Sequence, residues 1–372
     1  MRVPYFQPWI TDNDKKNVIK ALSQRWLTNG PFLSKFENKF QDYIHSKYAL
    51  GVGSATHALH LSNRALGIGP GDEVIVPTFT FAATANSVLY CGAKVILADI
   101  DPLTFNISTK SIKNLITKKT KAIIPVHYGG QSCDMDEIMS IAKKNKLKVI
   151  EDCAHSLGSK FNNSFCGNIG DVGCFSFYPT KIITTGEGGM ITTNKNNLLK
   201  KFKQLRSQGM DITPNQREKL IQWKYDIVDL GYNYRLDEIR SSLGLSQLNR
   251  INNINKLRIK IANKYNKLLK NIKGISLPVI KSNRNHIFHL YSIKIEKEYY
   301  LQRNELFKKL SDKGIGTSVQ YYPLHLMSYN KNKYNNLDFP IANKIKDRIL
   351  CLPIFPTMTE KQIQYVASNL LN

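Results

Sequence analysis

Between residues 50 and 195, short apolar runs alternate with stretches in which apolar residues recur at the spacing of a helix. The apolar runs predict strands at 74–77, 94–99, 122–127 and 148–152. The stretches between them predict helices at 82–90, 108–117 and 135–144. Strands that alternate with helices in this order are typical of βαβ units. The predicted fold class is therefore α/β, with a large domain built on a mainly parallel central sheet.

After about residue 245 the pattern changes, and strands no longer alternate regularly with helices. The predicted elements are a long lysine- and asparagine-rich helix at 248–272, a strand at 286–295, a helix at 300–313, a strand at 314–319 and a helix at 360–371. These elements predict a smaller C-terminal α+β domain at 248–372, beside a large domain at 1–247. The N-terminal segment can pack on the small domain.

The chain of 372 residues has a formal net charge of +25, and most of the excess is lysine spread over predicted helix surfaces. Such a charge raises the alternative of a regulator that binds nucleic acid. That class requires a helix-turn-helix or a clustered basic stripe, and the sequence shows neither. We therefore expect no nucleic-acid partner, and we interpret the lysines as solvated surface that also favours an anionic substrate.

No apolar run reaches the roughly 18 residues that a membrane-spanning helix needs, and the N-terminus lacks the pattern of a signal peptide. The six cysteines form no C-x-x-C pair, and their spacing favours neither a zinc site nor a disulfide framework. We therefore expect a reduced, cytoplasmic protein with no metal and no membrane span.

Polar residues follow the predicted strands, where ligands bind in open parallel sheets. The first group is a glycine-rich turn at 51–53, followed by Ser54, Ala55 and Thr56 at the start of a helix. The free N–H groups of a helix start favour a phosphate, and the two hydroxyls can add hydrogen bonds. An ordinary helix cap formed by Ser54 explains the same residues.

The strand at 148–152 ends in Glu151 and Asp152, and His155 follows three residues later. A carboxylate at this place can bind a metal, cap the next helix or keep a pyridinium nitrogen protonated, so that the ring accepts electrons. His155 lies on the same side of a helical turn as Asp152. A buried structural histidine is an equally good interpretation of His155.

Lys181 follows an apolar segment and precedes a glycine-rich turn at 186–189. A lysine in such a setting can have a lowered pKa and attack an aldehyde, although most lysines only face solvent. Phe81 follows the strand at 74–77, where it can stack on a flat ring or belong to the core. Together the four groups supply a phosphate nest, a stacking ring, a carboxylate and an amine, which are the groups that pyridoxal phosphate requires.

Two blocks of sequence resemble the DegT/DnrJ/EryC1/StrS family of pyridoxal-phosphate-dependent sugar aminotransferases, which have the aspartate-aminotransferase (type I) fold. They are 174–190, which contains Lys181, and Leu-Gly-Tyr-Asn-Tyr-Arg at 230–235. The resemblance runs over nearly the whole chain, from 26–31 to 350–356.

The resemblance implies a role for each candidate residue. Lys181 resembles the Schiff-base lysine, Asp152 the partner of the pyridine nitrogen, and His155 the residue near the phenolic oxygen of the ring. Phe81 matches the stacking position. The phosphate cradle corresponds to Ser54, Ala55, Thr56 and Ser176, and to Asn233, which reaches the phosphate of a neighbouring subunit. The resemblance therefore implies a homodimer with a shared active site.

The activity implied by the resemblance is a transfer of an amino group from L-glutamate to a keto-sugar linked to a nucleotide diphosphate, for surface-polysaccharide or glycan biosynthesis. Lys181 would both anchor the cofactor and shuttle a proton. Some members of the family have histidine in place of this lysine and act as dehydratases, so Lys181 favours transamination. The full set of cofactor residues also disfavours a catalytically silent homologue.

The segments 127–130 and 151–155 resemble members that act at C-4 of 4-keto-6-deoxy sugars. Amination at C-3, or of a keto-cyclitol, is the alternative. Candidate substrate contacts are Arg235, Tyr322 and His325, each of which also has a structural interpretation. The stretch 210–225 resembles only part of the family and supports no substrate assignment.

Overall fold

The computed structural model describes residues 1–212, 217–218, 220–221 and 223–371. Its helices are α1 (Asp12–Leu22), α2 (Pro31–Ile44), α3 (Ala55–Ala65), α4 (Ala82–Leu89), α5 (Thr109–Leu115), α6 (Met135–Lys144), α7 (Asn196–Arg206), α8 (Glu238–Leu248), α9 (Ile251–Leu269), α10 (Arg303–Asp312), α11 (Pro340–Ile345) and α12 (Glu360–Leu371). Its strands are β1 (Tyr48–Val52), β2 (Glu73–Pro77), β3 (Lys94–Ala98), β4 (Thr120–Ile123), β5 (Lys148–Asp152), β6 (Lys160–Phe161), β7 (Ser164–Phe165), β8 (Val172–Ser176), β9 (Gly189–Thr193), β10 (Ile275–Ser276), β11 (Tyr291–Ile295) and β12 (Ile349–Leu352).

A seven-stranded sheet with the order β1-β9-β8-β5-β4-β2-β3 forms the centre of the molecule. Strand β9 runs antiparallel to both of its neighbours, whereas the other pairs in this sheet are parallel. The mainly parallel sheet predicted from the sequence is therefore confirmed. Because six strands point the same way, their carboxyl ends meet at one edge of the sheet.

Helices cover both faces of this sheet, and strand β5 shows why. Ile150 packs into the cluster of buried side chains that includes α3, while its neighbour Val149 packs on the opposite face with α6. Side chains on successive residues of a strand point to opposite faces, so a strand covered on both sides must be apolar throughout. This burial explains the short continuous apolar runs in the sequence.

A second sheet, β10-β11-β12, packs with α9, α10 and α12 in the C-terminal part of the chain. Val3 is buried in the same apolar cluster. Its N–H donates to the carbonyl of Gly314 at 2.9 Å, and its carbonyl accepts from the N–H of Gly316 at 2.8 Å. The N-terminal segment thus lies on the C-terminal part, while the division into domains at 247/248 stays a prediction.

The helix predicted at 248–272 is present as α9, but it is three residues shorter at each end, and α8 ends at Leu248 just before it begins at Ile251. Arg250 between them has φ −116° and ψ 15°, which is not helical. Its guanidinium donates to Asp14 and to the carbonyl of Trp9, both at 2.5 Å. The chain breaks where Arg250 turns towards the N-terminal segment.

Three predicted strands are shorter than expected or are replaced by isolated bridges. Beyond β4, the residues up to His127 form only an isolated bridge with β5, since Pro125 has no N–H to donate. Ahead of β11, the N–H groups of Ile287 and Leu290 donate instead to the carbonyls of Gly130 and Gly129. The segment 314–319 pairs through isolated bridges at Ile315 and Ser318 rather than as a continuous strand.

Candidate active site

The predicted cofactor residues lie at or just beyond the carboxyl ends of the parallel strands. Asp152 is the last residue of β5, and Ser176 is the last residue of β8. Ser54 follows β1 by two residues and caps α3, and Phe81 follows β2 and precedes α4. Since these strands share one direction, the topology brings the four residues to the same edge of the sheet.

Asp152 is buried, with 4% of its surface exposed. Its Oδ2 accepts a hydrogen bond from the hydroxyl of Thr84 at 2.9 Å, and its Oδ1 accepts from the N–H of Ala154 at 3.1 Å. Burial raises the pKa of the Asp152 carboxyl, while these hydrogen bonds and the charge of Lys181 act in the opposite direction. Turns rather than a helix follow β5, so Asp152 caps no helix.

Lys181 is half-buried in the irregular segment between β8 and β9. Burial lowers the pKa of its amine to about 8, and the negative charge of Asp152 opposes this shift. Within the described ranges the amine has no ion-pair or hydrogen-bond partner. A substantial fraction of this amine is therefore neutral near physiological pH, as a nucleophile towards an aldehyde must be.

His155 is buried beside this pair, and both of its ring nitrogens are engaged within the chain. Nδ1 accepts from the N–H of Gly129 at 3.3 Å, and Nε2 lies 2.9 Å from the hydroxyl of Tyr321. Burial, reinforced by the charge of Lys181, holds the pKa of His155 well below its ordinary value. The imidazole is therefore neutral. Its contacts in this structure are those of a buried, hydrogen-bonded histidine, which was the alternative interpretation of the sequence.

The start of α3 combines the cap and the phosphate nest that were separate interpretations of the sequence. The Ser54 hydroxyl caps the helix by accepting from the N–H of His57 at 3.1 Å. The N–H groups of Ala55 and Thr56 have no acceptor within the described part of the chain. Two free donors at the positive end of the α3 dipole remain available to an anion.

Gly189 lets β9 approach this nest closely. A Cβ atom built on Gly189 would lie 2.5 Å from the carbonyl carbon of Ser54 and 2.8 Å from the nitrogen of Ala55. Contacts this short do not occur in real structures, so only glycine fits against the start of α3. The antiparallel strand β9 thus closes one side of the anion site with its backbone.

Phe81, Ser176, Asn233 and Arg235 are accessible at the same edge. Phe81 is 64% exposed with its ring 6.4 Å from that of Tyr321, so the alternative of a core aromatic is excluded. Asn233 is exposed, and Ser176 and Arg235 are half-buried. The main chain of Arg235 pairs with Val52 at the end of β1, two residues before Ser54.

The candidate substrate residues near the C-terminus differ in their exposure. Tyr322 is 43% exposed. His325 is buried, with Nδ1 2.7 Å from the hydroxyl of Thr78 and Nε2 3.2 Å from Oδ1 of Asn343. Its ring also stacks on Phe339 with centroids 4.1 Å apart. These contacts support the structural interpretation of His325, and we leave it out of the proposed substrate site.

Glu151, which neighbours Asp152, faces a different environment. It accepts from the N–H groups of Gly167, Ile169 and Gly170 at 2.7–2.9 Å, and it lies 2.9 Å from Nε2 of His127. With Cys153, these two side chains form a group in which a metal ion could bind. The Glu151 carboxylate already holds the loop at 167–170, and His127 already holds the segment that follows it in the chain. We therefore assign this group a structural role.

Two residues of the site were not predicted from the sequence. Thr84 lies in the first turn of α4, one turn from Thr80, whose hydroxyl is 2.8 Å from its own. Tyr321 precedes the predicted Tyr322, and only the fold shows that it contacts His155 across 166 residues of chain. Thr84 lies one helical turn beyond Thr80, in the segment that follows β2, and this spacing was the available signal for it, whereas Tyr321 had none.

A profile of the DegT/DnrJ/EryC1/StrS aminotransferase family matches residues 8–371. The chain belongs to this family. Its members are sugar aminotransferases that depend on pyridoxal phosphate, and this enzyme is one of them. The family assignment and the type I fold inferred from sequence are confirmed.

Relatives match the chain over almost its full length. It is 38% identical to GDP-perosamine synthase of Caulobacter vibrioides, over 99% of this chain and 97% of that protein. It is also 38% identical to the spore coat polysaccharide biosynthesis protein SpsC of Bacillus subtilis, over 98% and 95%. The pyridoxamine-phosphate form of a putative sugar aminotransferase, Spr1654 from Streptococcus pneumoniae, superimposes with a TM-score of 0.94 at 29% identity, over 99% and 98%.

The side chains fit the cofactor on two structural grounds. Lys181 offers an amine with a lowered pKa beside a buried carboxylate, and the start of α3 offers two unused N–H donors against a glycine that no larger residue could replace. Among the described helices none is both long and apolar enough to cross a bilayer.

Proposed function

We propose that this enzyme transfers the amino group of L-glutamate to the keto group at C-4 of a 4-keto-6-deoxy sugar linked to a nucleotide diphosphate. The observation that carries the proposal is a low-pKa Lys181 close enough to buried Asp152 for each to affect the pKa of the other, at the edge of the sheet where α3 begins. The similarity to GDP-perosamine synthase over almost the whole chain supports a nucleotide-linked sugar. SpsC supports a role in polysaccharide biosynthesis.

When bound, pyridoxal phosphate supplies an aldehyde and a ring that withdraws electrons. Lys181 would hold this aldehyde through its amine, and the same amine, when free, would serve as the base and acid that moves the α-proton of the amino donor. Asp152 would accept a hydrogen bond from the ring nitrogen and keep it protonated. Thr84 and the N–H of Ala154 hold the Asp152 carboxylate in position for this contact.

The start of α3 would hold the phosphate of the cofactor, through the N–H groups of Ala55 and Thr56 and the hydroxyls of Thr56, Ser54 and Ser176. Phe81 covers the ring from the exposed side. Asn233 is exposed at its own subunit's surface and is proposed to bind the phosphate of a second subunit. The functional unit is then a homodimer in which each site draws residues from both chains.

Arg235 and Tyr322 are proposed to contact the nucleotide or the sugar. The Arg235 guanidinium is half-buried and has no acidic partner among the described residues, and burial near Arg206 lowers its pKa. A diphosphate would provide the missing negative charge. The six buried free thiols suit a reducing compartment, and they support our proposal that the reaction takes place in the cytoplasm.

The purified protein tests the proposal directly. Loaded with pyridoxal phosphate, it should absorb in the visible region, and L-glutamate should remove that band. Lys181→Ala should abolish both the band and the transfer, whereas Lys144→Ala, on the exposed surface of α6, should change neither. A Lys181→Ala protein that still transfers the amino group would contradict the assignment.

The acceptor is then identified with pyridoxamine-phosphate-loaded enzyme and purified keto-sugars. A GDP- or UDP-linked 4-keto-6-deoxy hexose should restore the visible band, and NMR of the product should show the amino group on C-4. Restoration only by a 3-keto sugar or a keto-cyclitol would favour the alternative acceptors and contradict amination at C-4.

A further inference from the structure

The protonation of His155 follows from its hydrogen bonds. The N–H of Gly129 donates to Nδ1, so this nitrogen must present a lone pair and carries no proton. The groups around the ring are the amine of Lys181, the ring of His289 at 4.4 Å between centroids, and Tyr321. Burial and the positive charge of Lys181 oppose a second proton. The single ring proton of a neutral His155 must therefore lie on Nε2.

This tautomer fixes the orientation of the Tyr321 hydroxyl. Since Nε2–H is a donor, the Tyr321 oxygen 2.9 Å away accepts. The hydroxyl hydrogen is then left to donate elsewhere, and the described part of the chain provides no other acceptor for it. Burial and the nearby charge of Asp152 raise the pKa of Tyr321, so the phenol keeps its proton at any pH at which the enzyme works.

Tyr321 presents this hydrogen inside the proposed cofactor site. Its ring is parallel to that of His155 within 8°, at a centroid distance of 5.8 Å. On another side it faces Phe81 at 6.4 Å. Its oxygen is near enough to Asp152 for the carboxylate charge to affect its pKa. The donor is therefore near both the residue proposed to cover the ring, Phe81, and the one proposed to hold its nitrogen, Asp152.

We propose that Tyr321 donates a hydrogen bond to the phenolic oxygen of pyridoxal phosphate, and that His155 acts through Tyr321 as a positioning residue. This inference rests on the proposed function. It changes the role that the family resemblance implied for His155, because the proton on Nε2 is already used by Tyr321. Tyr321, rather than His155, becomes the catalytic residue that touches the cofactor at this oxygen.

The proposal predicts a change in a spectroscopic pKa. In the loaded enzyme, the nitrogen that links Lys181 to the cofactor shares its proton with the phenolic oxygen. A donor on that oxygen withdraws negative charge from it and so favours loss of the proton from the linking nitrogen. Removing the donor has the opposite effect, so the pKa of the visible band should rise. A hydrogen bond to a charged group corresponds to a shift of about one to two pH units.

The test is a pH titration of the visible band in three loaded proteins: wild type, Tyr321→Phe and Tyr329→Phe. Tyr329 is an exposed tyrosine of the same region, so its variant controls for the loss of a hydroxyl. The pKa of the band should rise by about one to two units in Tyr321→Phe and stay unchanged in Tyr329→Phe. An unchanged pKa in Tyr321→Phe would overturn the proposal. A wild type without any visible band would instead contradict the proposed function.

A double-mutant cycle tests the indirect role of His155. His155→Asn should raise the pKa of the band in the wild-type background but add nothing in the Tyr321→Phe background, because both changes remove the same contact. Additive shifts would show that His155 bonds to the cofactor by itself and would overturn its role as a positioning residue. Thermal unfolding and retained cofactor absorbance in each variant establish that it is folded.

Discussion

The hydroxyl of Thr84 donates a hydrogen bond of 2.9 Å to Oδ2 of Asp152, and both residues are buried. This contact lowers the pKa of a carboxyl that burial raises. The charge of Asp152 therefore depends in part on a residue that touches neither cofactor nor substrate.

Thr84→Val should reduce kcat/KM for L-glutamate about tenfold, since a hydrogen bond to a charged group is worth about 1.5–3 kcal/mol. Because the variant raises the pKa of Asp152, the acidic limb of the pH profile should move to higher pH. Kinetics between pH 5 and pH 9 check this. Thr84→Ser should restore the wild-type profile. Thr80→Val, which leaves the contact with Asp152 in place, should have a much smaller effect. An identical profile for Thr84→Val would contradict the role of this hydroxyl.

Gly189→Ala should weaken binding of pyridoxal phosphate by at least about tenfold, because the new Cβ would displace the start of α3 from its position at Ser54. The dissociation constant from an absorbance titration is the measurement. Gly69→Ala is the matched control, since a Cβ there would meet nothing closer than the carbonyl of Cys91 at 3.9 Å. Equal affinities in the two variants would show that the close approach of β9 is unimportant.

Lys181→Met should stabilise the cofactor-free protein at pH 7. Burial lowers the folded-state pKa of Lys181 from 10.5 to about 8, so the unfolded chain binds more protons between these values. The loss of folding stability caused by Lys181 is thus complete below pH 8, and it disappears as the pH rises to about 10.5. Because the side chain is partly exposed, the gain in unfolding free energy at pH 7 should be about 2 kcal/mol. Urea unfolding at pH 7 and pH 10 measures it, and a gain that does not shrink with pH would contradict the lowered pKa.

His325→Ala should lower the free energy of unfolding by about 2–3 kcal/mol, because the change removes the side-chain hydrogen bonds to Thr78 and Asn343 and the stack on Phe339. The KM for the keto-sugar should not change. Arg235→Met should have the opposite effects, a raised KM with little loss of stability. A raised KM and unchanged stability in His325→Ala would restore His325 as a substrate contact.

The predictions from periodicity are most accurate where the position of a strand or helix depends only on the burial of its own apolar side chains. Strand 148–152 and helix 135–144 agree with β5 and α6, since each buries the apolar residues that its pattern shows. The ends of elements are less accurate where a distant residue fixes them. The helix predicted at 248–272 begins only at Ile251, after Arg250, which binds Asp14 and Trp9 in a way that no local pattern reveals.

The same limit applies to the site. Asp152, Lys181 and Ser54 follow strands, and parallel topology makes strand ends converge, so the sequence alone was enough to group them. Tyr321 comes from the C-terminal part of the chain and reaches His155 only through the packing of that part on the large sheet. For His325 the sequence left a sugar contact and a structural role equally open, and its partners Thr78 and Asn343 could be identified only in three dimensions.

The bonds of Val3 to Gly314 and Gly316 set an order of events during synthesis. Val3 is synthesised before its hydrogen-bonding partners, which follow it by more than 300 residues along the chain. The central sheet can form while the rest of the chain is still being translated. The N-terminal segment must stay unpaired during that time, and it docks only when the C-terminal part has emerged.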